Sequence, residues 1–168
     1  MKAPINIFVV DDNQLFAMAL KADIEAAFSN MPVKISLFEI GEKCMDRFKR
    51  AIPQIVILDY YLNANHPAAA NGIKVLEWIK KENTDTYVIM LTSDDNMDIA
   101  VKSFQHGASD YIVKTETKFK KINNSLLNIL NLMEARNAAR RYKRLLRVLF
   151  LCIAFFIGGV VALKLYVR

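Results

Sequence analysis

Cysteine is scarce in this chain: Cys44 and Cys152 are the only two in 168 residues, and they lie far apart in dissimilar surroundings. Neither stands at a metal-ligand spacing from another Cys or His, and nothing suggests a disulfide framework. No signal peptide is expected at the start of the chain, because the apolar run after Lys2 is short and ends on acids. The main domain is therefore expected in a reducing, intracellular space. A glycine-rich dinucleotide turn and a P-loop are both missing, which removes the two commonest nucleotide-binding motifs. Acid is missing from one region alone. From Asn123 onward eight Lys/Arg face a single acid, Glu134, whereas residues 1–122 carry 15 Lys/Arg and 16 Asp/Glu. The net charge of +6 thus belongs to the C-terminal segment. A basic-surface argument for nucleic-acid binding by the main domain fails.

What is present is an alternation. Short apolar runs at Ile5–Val10, Val33–Phe38, Ile55–Leu58, Tyr87–Leu91 and Asp110–Val113 read as strands. Between them, helical spacing predicts helices over 14–28, 42–51, 72–83 and 96–106, the last stopped by Gly107 at the C′ position. The first helix carries Leu15, Met18, Leu20, Ile24 and Phe28 at roughly helical spacing. A fifth, amphipathic helix follows from Phe119. Five β-α repeats whose strands hold few polar positions imply a parallel sheet covered on both faces, an α/β doubly wound fold.

Sites in such sheets lie outside the carboxyl ends of the strands. The stretch INIFVVDDNQ ends its strand on two adjacent carboxylates, Asp11 and Asp12, and the third and fourth strands end on Asp59 and Thr92. The fifth is followed by Lys114. Three carboxylates, a hydroxyl and an ammonium would thus meet at one edge. Carboxylates repel one another in low dielectric, and a hard divalent cation such as Mg²⁺ relieves that repulsion with oxygen ligands. A carboxylate so placed can accept a phosphoryl group, with Lys114 and Thr92 neutralising developing charge. The alternative is that strand-end aspartates merely cap the following helices.

Over Ile5–Met133 this pattern resembles the receiver domain of bacterial two-component response regulators: DD after strand one, a strand-terminal Asp, a strand-terminal Thr and YxxK at strand five. The resemblance implies a flavodoxin-like (βα)5 fold with strand order 2-1-3-4-5. It implies Asp59 as phosphoacceptor and a Mg²⁺ pocket of Asp11, Asp12, Asp59 and the main-chain carbonyl of Tyr61. Thr92 and Lys114 would contact the phosphoryl oxygens, and Tyr111 would be the aromatic switch residue that turns inward with Thr92. A sensor histidine kinase or phosphotransfer protein would be the donor, and no dedicated substrate turnover is expected.

The chain departs from the family pattern in three places. Gly72 lies thirteen positions past Asp59, further than is usual, so the loop 60–71 is long. Lys114 is followed by Thr115, where the family commonly has a cis-proline; a trans bond is expected here, with Lys114 aimed differently. Ser93, Asp94 and Asp95 add polarity after Thr92. These departures motivate an alternative, a pseudo-receiver serving as a constitutive docking module. A phosphatase of the haloacid dehalogenase type expects a second Asp two residues past its nucleophile, and that position is Tyr61. His66 and His106 read as a loop residue and a helix C-terminal cation rather than ligands, and Trp78 and Cys44 as packing.

The last stretch changes character twice. Arg136, Arg140, Arg141, Lys143, Arg144 and Arg147 form a basic run, and Val148–Leu163 then supplies sixteen uncharged, apolar residues. Eleven of these are Leu, Ile, Phe or Val, and Arg147 and Lys164 can snorkel at the ends. The expected organisation is a receiver core over 1–122, a helix extension and basic stalk over 123–147, and a transmembrane helix over 148–167. The basic run places the receiver on the cytoplasmic side of a bacterial inner membrane, with lipid contact through 136–167. Ala154, Gly158 and Ala162 form a small-residue face that suits a second copy of the chain. The competing reading is a buried dimerisation helix. Nucleic acid is not expected as a partner.

Overall fold

The structure, a computed structural model, describes residues 4–62 and 69–166, and from residue 152 onward the backbone alone. Five strands, β1 (Ile5–Val10), β2 (Val33–Phe38), β3 (Ile55–Asp59), β4 (Tyr87–Thr92) and β5 (Asp110–Val113), alternate with α1 (Gln14–Ala27), α2 (Gly41–Phe48), α3 (Gly72–Glu82), α4 (Met97–Gln105) and α5 (Lys118–Tyr166). The strands are all parallel, in the order β2-β1-β3-β4-β5, as the doubly wound, flavodoxin-like reading requires. The five expected strands and the five helices between and after them all form, with ends displaced by a few residues. α2 stops at Phe48 rather than reaching Ala51, and β3 and β4 each run one residue further to include Asp59 and Thr92.

Alternation along the strands builds the two cores. Phe8, Val10, Val56, Leu58, Val88 and Met90 pack with Cys44, Phe48, Leu62, Val75, Leu76 and Ile79 from one side. The intervening Ile7, Val9, Ile55, Ile57, Ile89 and Leu91, equally buried, turn to the other face. Cys44 is fully enclosed and its thiol is pushed up to about 12 by burial. Trp78 is half-buried against the first cluster, as packing rather than chemistry.

Only part of that apolar set forms the inward face of α1. Ala17, Leu20, Ile24 and Phe28 are buried, while Leu15 and Met18 are 81% and 62% exposed. Leu20, Ile24 and Phe28 repeat every four residues and define the stripe, and Leu15 and Met18 fall well round the helix from it.

Helices α1, α3 and α4 each begin on an asparagine. Asn13 accepts from the Phe16 amide, Asn71 from Lys74 and Asn96 from Asp98. These side chains satisfy the orphan amides of the first turn, so the caps are asparagines and not the strand-end acids. Gly107 follows α4 with φ +92°, the left-handed conformation a helix stop needs. His106 caps α4, its Nδ1 2.8 Å from the Lys102 carbonyl oxygen, and its Nε2 lies 3.2 Å from Glu77 of α3.

By Cα proximity the chain divides into two compact units, residues 1–126 and 127–168. Among the described residues, no helix is long and apolar enough to cross a membrane. The side chains of the expected span from residue 152 onward lie outside the described residues, as does His66.

Candidate functional site

Strand register brings the polar strand ends together. Val10 pairs with Leu58, so Asp11 and Asp59 are each the next residue along adjacent strands. Asp59 pairs with Leu91 and Thr92 with Val113, which sets Thr92 and Lys114 one step beyond their neighbours. Asp11, Asp12 and Asp59 each offer a carboxylate oxygen within 4.8 Å of the others. Asp11 and Asp59 are 1% and 4% exposed, and Asp12 is half-buried.

Lys114 closes the group electrostatically. Its Nζ lies 2.7 Å from Asp11 Oδ2 and 3.0 Å from Asp59 Oδ2. The Lys114–Thr115 bond is trans, as expected, but the ammonium is not aimed away from the acids. The Lys114 amide donates to the Thr92 carbonyl at 2.7 Å and the Thr115 amide to Val113, holding the turn against β4.

Burial is the largest influence on both inner acids and raises them above the ordinary carboxylate value. Lys114 lowers each in turn, and a second carboxylate, Asp59 for Asp11 and Asp12 for Asp59, raises each again. Asp11 Oδ1 also accepts from the Asn13 amide at 2.9 Å. Asp59 Oδ1 is buried with no hydrogen-bond partner among the described residues. A buried, unpartnered carboxylate oxygen beside two more carboxylates is what a hard, oxygen-seeking dication fits.

The neighbouring residues complete the edge. Thr92 is fully buried, and its Oγ1 accepts from the Asp94 amide at 3.2 Å. Tyr111 is half-buried against the core, and its hydroxyl donates to the Asp94 carbonyl at 3.0 Å. Burial raises the Tyr111 hydroxyl. The Tyr61 hydroxyl donates to the Asp94 carboxylate, and that bond pushes it up to about 12. Gly72 meets the site from behind: its amide donates to the Tyr60 carbonyl at 2.9 Å, and a Cβ there would fall 2.3 Å from the Asp59 carbonyl oxygen. Two contributors escape sequence reasoning. Phe16, whose ring lies under Lys114, carries no polar signal, and the double role of Asp94 depends on two residues distant in sequence.

The response regulator receiver domain family model matches residues 7–126. The chain belongs to that family. Among curated proteins, the regulatory protein LuxO of Vibrio vulnificus is 28% identical over 82 residues, covering 49% of this chain and 17% of LuxO. The DNA-binding transcriptional regulator NtrC of Escherichia coli K12 is 25% identical over 108 residues, covering 64% and 21%. The receiver therefore matches about a fifth of these relatives' length. In fold it is similar to a CheY-like response regulator receiver domain protein from Methanospirillum hungatei. That likeness has a TM-score of 0.69 at 18% identity and covers 80% of this chain and 99% of that one. It is also similar to the phosphorylated cyanobacterial phytochrome response regulator RcpA, with a TM-score of 0.63 at 22% identity, covering 73% and 91%. This chain is a two-component response regulator receiver domain.

Proposed function

We propose that this receiver accepts a phosphoryl group on Asp59 and signals through protein contacts rather than by turning over a substrate. The observation that carries the reading is the buried Asp59 carboxylate, which has one oxygen on Lys114 and the other without a partner among three clustered acids. In the transfer, an Asp59 oxygen forms a bond to phosphorus as the bond from phosphorus to the donor's nitrogen or oxygen breaks. Asp11, Asp12, Asp59 and the main-chain carbonyl of Tyr61 would hold Mg²⁺. When bound, the ion supplies charge neutralisation for the transferring group. Lys114 follows the incoming phosphoryl oxygens, and Thr92 offers its hydroxyl to them. Tyr111 then gives up its bonds to the Asp94 and Asn96 carbonyls and turns inward.

The test is the intact mass of the full chain after acetyl phosphate treatment. A gain of one phosphoryl group that requires Mg²⁺ and is lost in Asp59→Asn is expected. A folded protein that gains nothing would leave the docking-module reading in its place.

The same proposal includes a single-pass tail anchor at 148–167, with the receiver in the cytoplasm of a bacterium at its inner membrane. It is supported by the basic run before Val148 and the sixteen uncharged residues after it. Lipid contact through 136–167 and pairing of two copies along Ala154, Gly158 and Ala162 belong to this reading; nucleic-acid binding does not. Output then runs through a membrane-proximal partner. After alkaline extraction of membranes, the full chain is expected in the pellet and a Phe156→Arg variant in the supernatant. Full extraction of the unaltered chain would end the anchor proposal.

A further inference from the structure

The aim of Lys114 has a physical cause outside the acid cluster. A lysine ammonium sits on a flexible four-carbon stem and takes many rotamers unless something fixes it. Here its Nζ lies 4.7 Å from the centroid of the Phe16 ring, on the first turn of α1. Attraction between the ammonium and the negative ring face strengthens where water is kept away, and the Lys114 side chain is 15% exposed.

The ring is itself held. Phe16 stacks on Phe119 of α5, with centroids 5.7 Å apart and planes 28° apart. Lys118 adds a second cation, 5.9 Å from the Phe16 centroid and 5.6 Å from that of Phe119. The Phe16–Phe119 pair therefore forms a platform built by α1 and the first turn of α5. On it the ammonium rests with both Asp11 Oδ2 and Asp59 Oδ2 in reach.

We infer that Phe16 is a positioning residue for Lys114, holding the ammonium over the phosphoacceptor and anchoring that geometry to the root of α5. One part of the inference rests on the proposed phosphoryl transfer, and the geometric part does not. In transfer the ammonium must pass from Asp11 to the incoming phosphoryl oxygens. A flat apolar surface lets it shift over a short path without rehydrating, and small losses of alignment at such a step cost rate steeply.

Two measurements on the full chain in detergent micelles test this, using Phe16→Leu and Phe16→Tyr. Leucine keeps an apolar side chain without the π face, and tyrosine keeps the face. The first is NMR of the Lys114 ε-methylene protons. An upfield ring-current displacement is expected in the unaltered chain and in Phe16→Tyr, and its disappearance in Phe16→Leu. The same displacement in Phe16→Leu would overturn the inference.

The second is the saturating rate of phosphorylation by acetyl phosphate with Mg²⁺. Phe16→Leu is expected to slow it about tenfold, the loss of one desolvated cation–π contact. Phe16→Tyr should stay within about twofold of the unaltered chain, with the half-saturating acetyl phosphate concentration unchanged in both. Equal rates in all three proteins would overturn the inference. So would equal slowing of both variants with a lowered melting temperature, which marks packing alone. If the unaltered chain takes up no phosphoryl group, the phosphoacceptor proposal fails, and the ring-current result still decides the role of Phe16.

Discussion

Replacing Gly72 with alanine is expected to destabilise the receiver by about 3 kcal/mol and lower its melting temperature by roughly 10 °C. The added Cβ would lie 2.3 Å from the Asp59 carbonyl oxygen and 2.7 Å from Tyr60 Cα. Both are backbone atoms at the end of a central strand and cannot rotate aside. Relief requires α3 to retreat, which breaks the bond from the Gly72 amide to the Tyr60 carbonyl and loosens Val75, Leu76 and Ile79 in the core. The same retreat opens the close contact with the backbone of Asp59, the proposed acceptor. Gly107→Ala is the control. Its Cβ meets only the Lys80 side chain at 3.3 Å, so the cost is the left-handed backbone, about 1 kcal/mol. Thermal denaturation followed by circular dichroism compares the two. Equal melting temperatures would show that the β3–α3 junction is slack.

The second large effect is expected at Lys114. Lys114→Met removes the cation shared by Asp11 and Asp59 and should cost about 3 kcal/mol at neutral pH in chelator-treated buffer. The cost depends on pH with a definite sign. Burial raises both carboxyls above their ordinary 3.8 in the folded chain. The stability they contribute is therefore fully present below that value and is lost as pH rises through the elevated folded values. Each group can contribute a slope of at most about 1.4 kcal/mol per pH unit. Without Lys114 the lowering influence disappears, the folded values climb further, and the loss runs deeper. Urea denaturation across pH should show the variant and the unaltered protein converging in acid and separating toward neutrality. Saturating Mg²⁺ should narrow the gap, because it replaces the missing positive charge. A gap that ignores pH would mean that the lysine matters through packing.

The fold and most of the candidate site were legible in the sequence for one reason. A parallel sheet forces its functional residues to strand ends, where they interrupt apolar runs and are easy to see. Asp11, Asp59, Thr92 and Lys114 each follow or close such a run, and register then brings Asp11, Asp59 and Lys114 within hydrogen-bond reach. Helix faces were harder to read. Leu15 and Met18 look inward by hydrophobicity, yet they are exposed because the four-residue repeat through Leu20, Ile24 and Phe28 sets the buried stripe. The aim of Lys114 was out of reach of the sequence for a related reason. Its control comes from Phe16, a residue 98 positions earlier that resembles any other apolar residue of an amphipathic helix. The extra acids after Thr92 looked like mere added polarity. Their use appears only when Tyr61 and Tyr111 come together from two other strand ends.

Asp94 grips one tyrosine with its side chain and the other with its carbonyl. The two grips share a single residue between Thr92 and the start of α4, so they make a mechanical conjunction. A displacement of Asp94 strains both bonds at once, while the Tyr111 hydroxyl keeps a second acceptor in the Asn96 carbonyl at 3.4 Å. A shift of Asp94 would therefore reach both the segment after Asp59 and the aromatic side chain of β5.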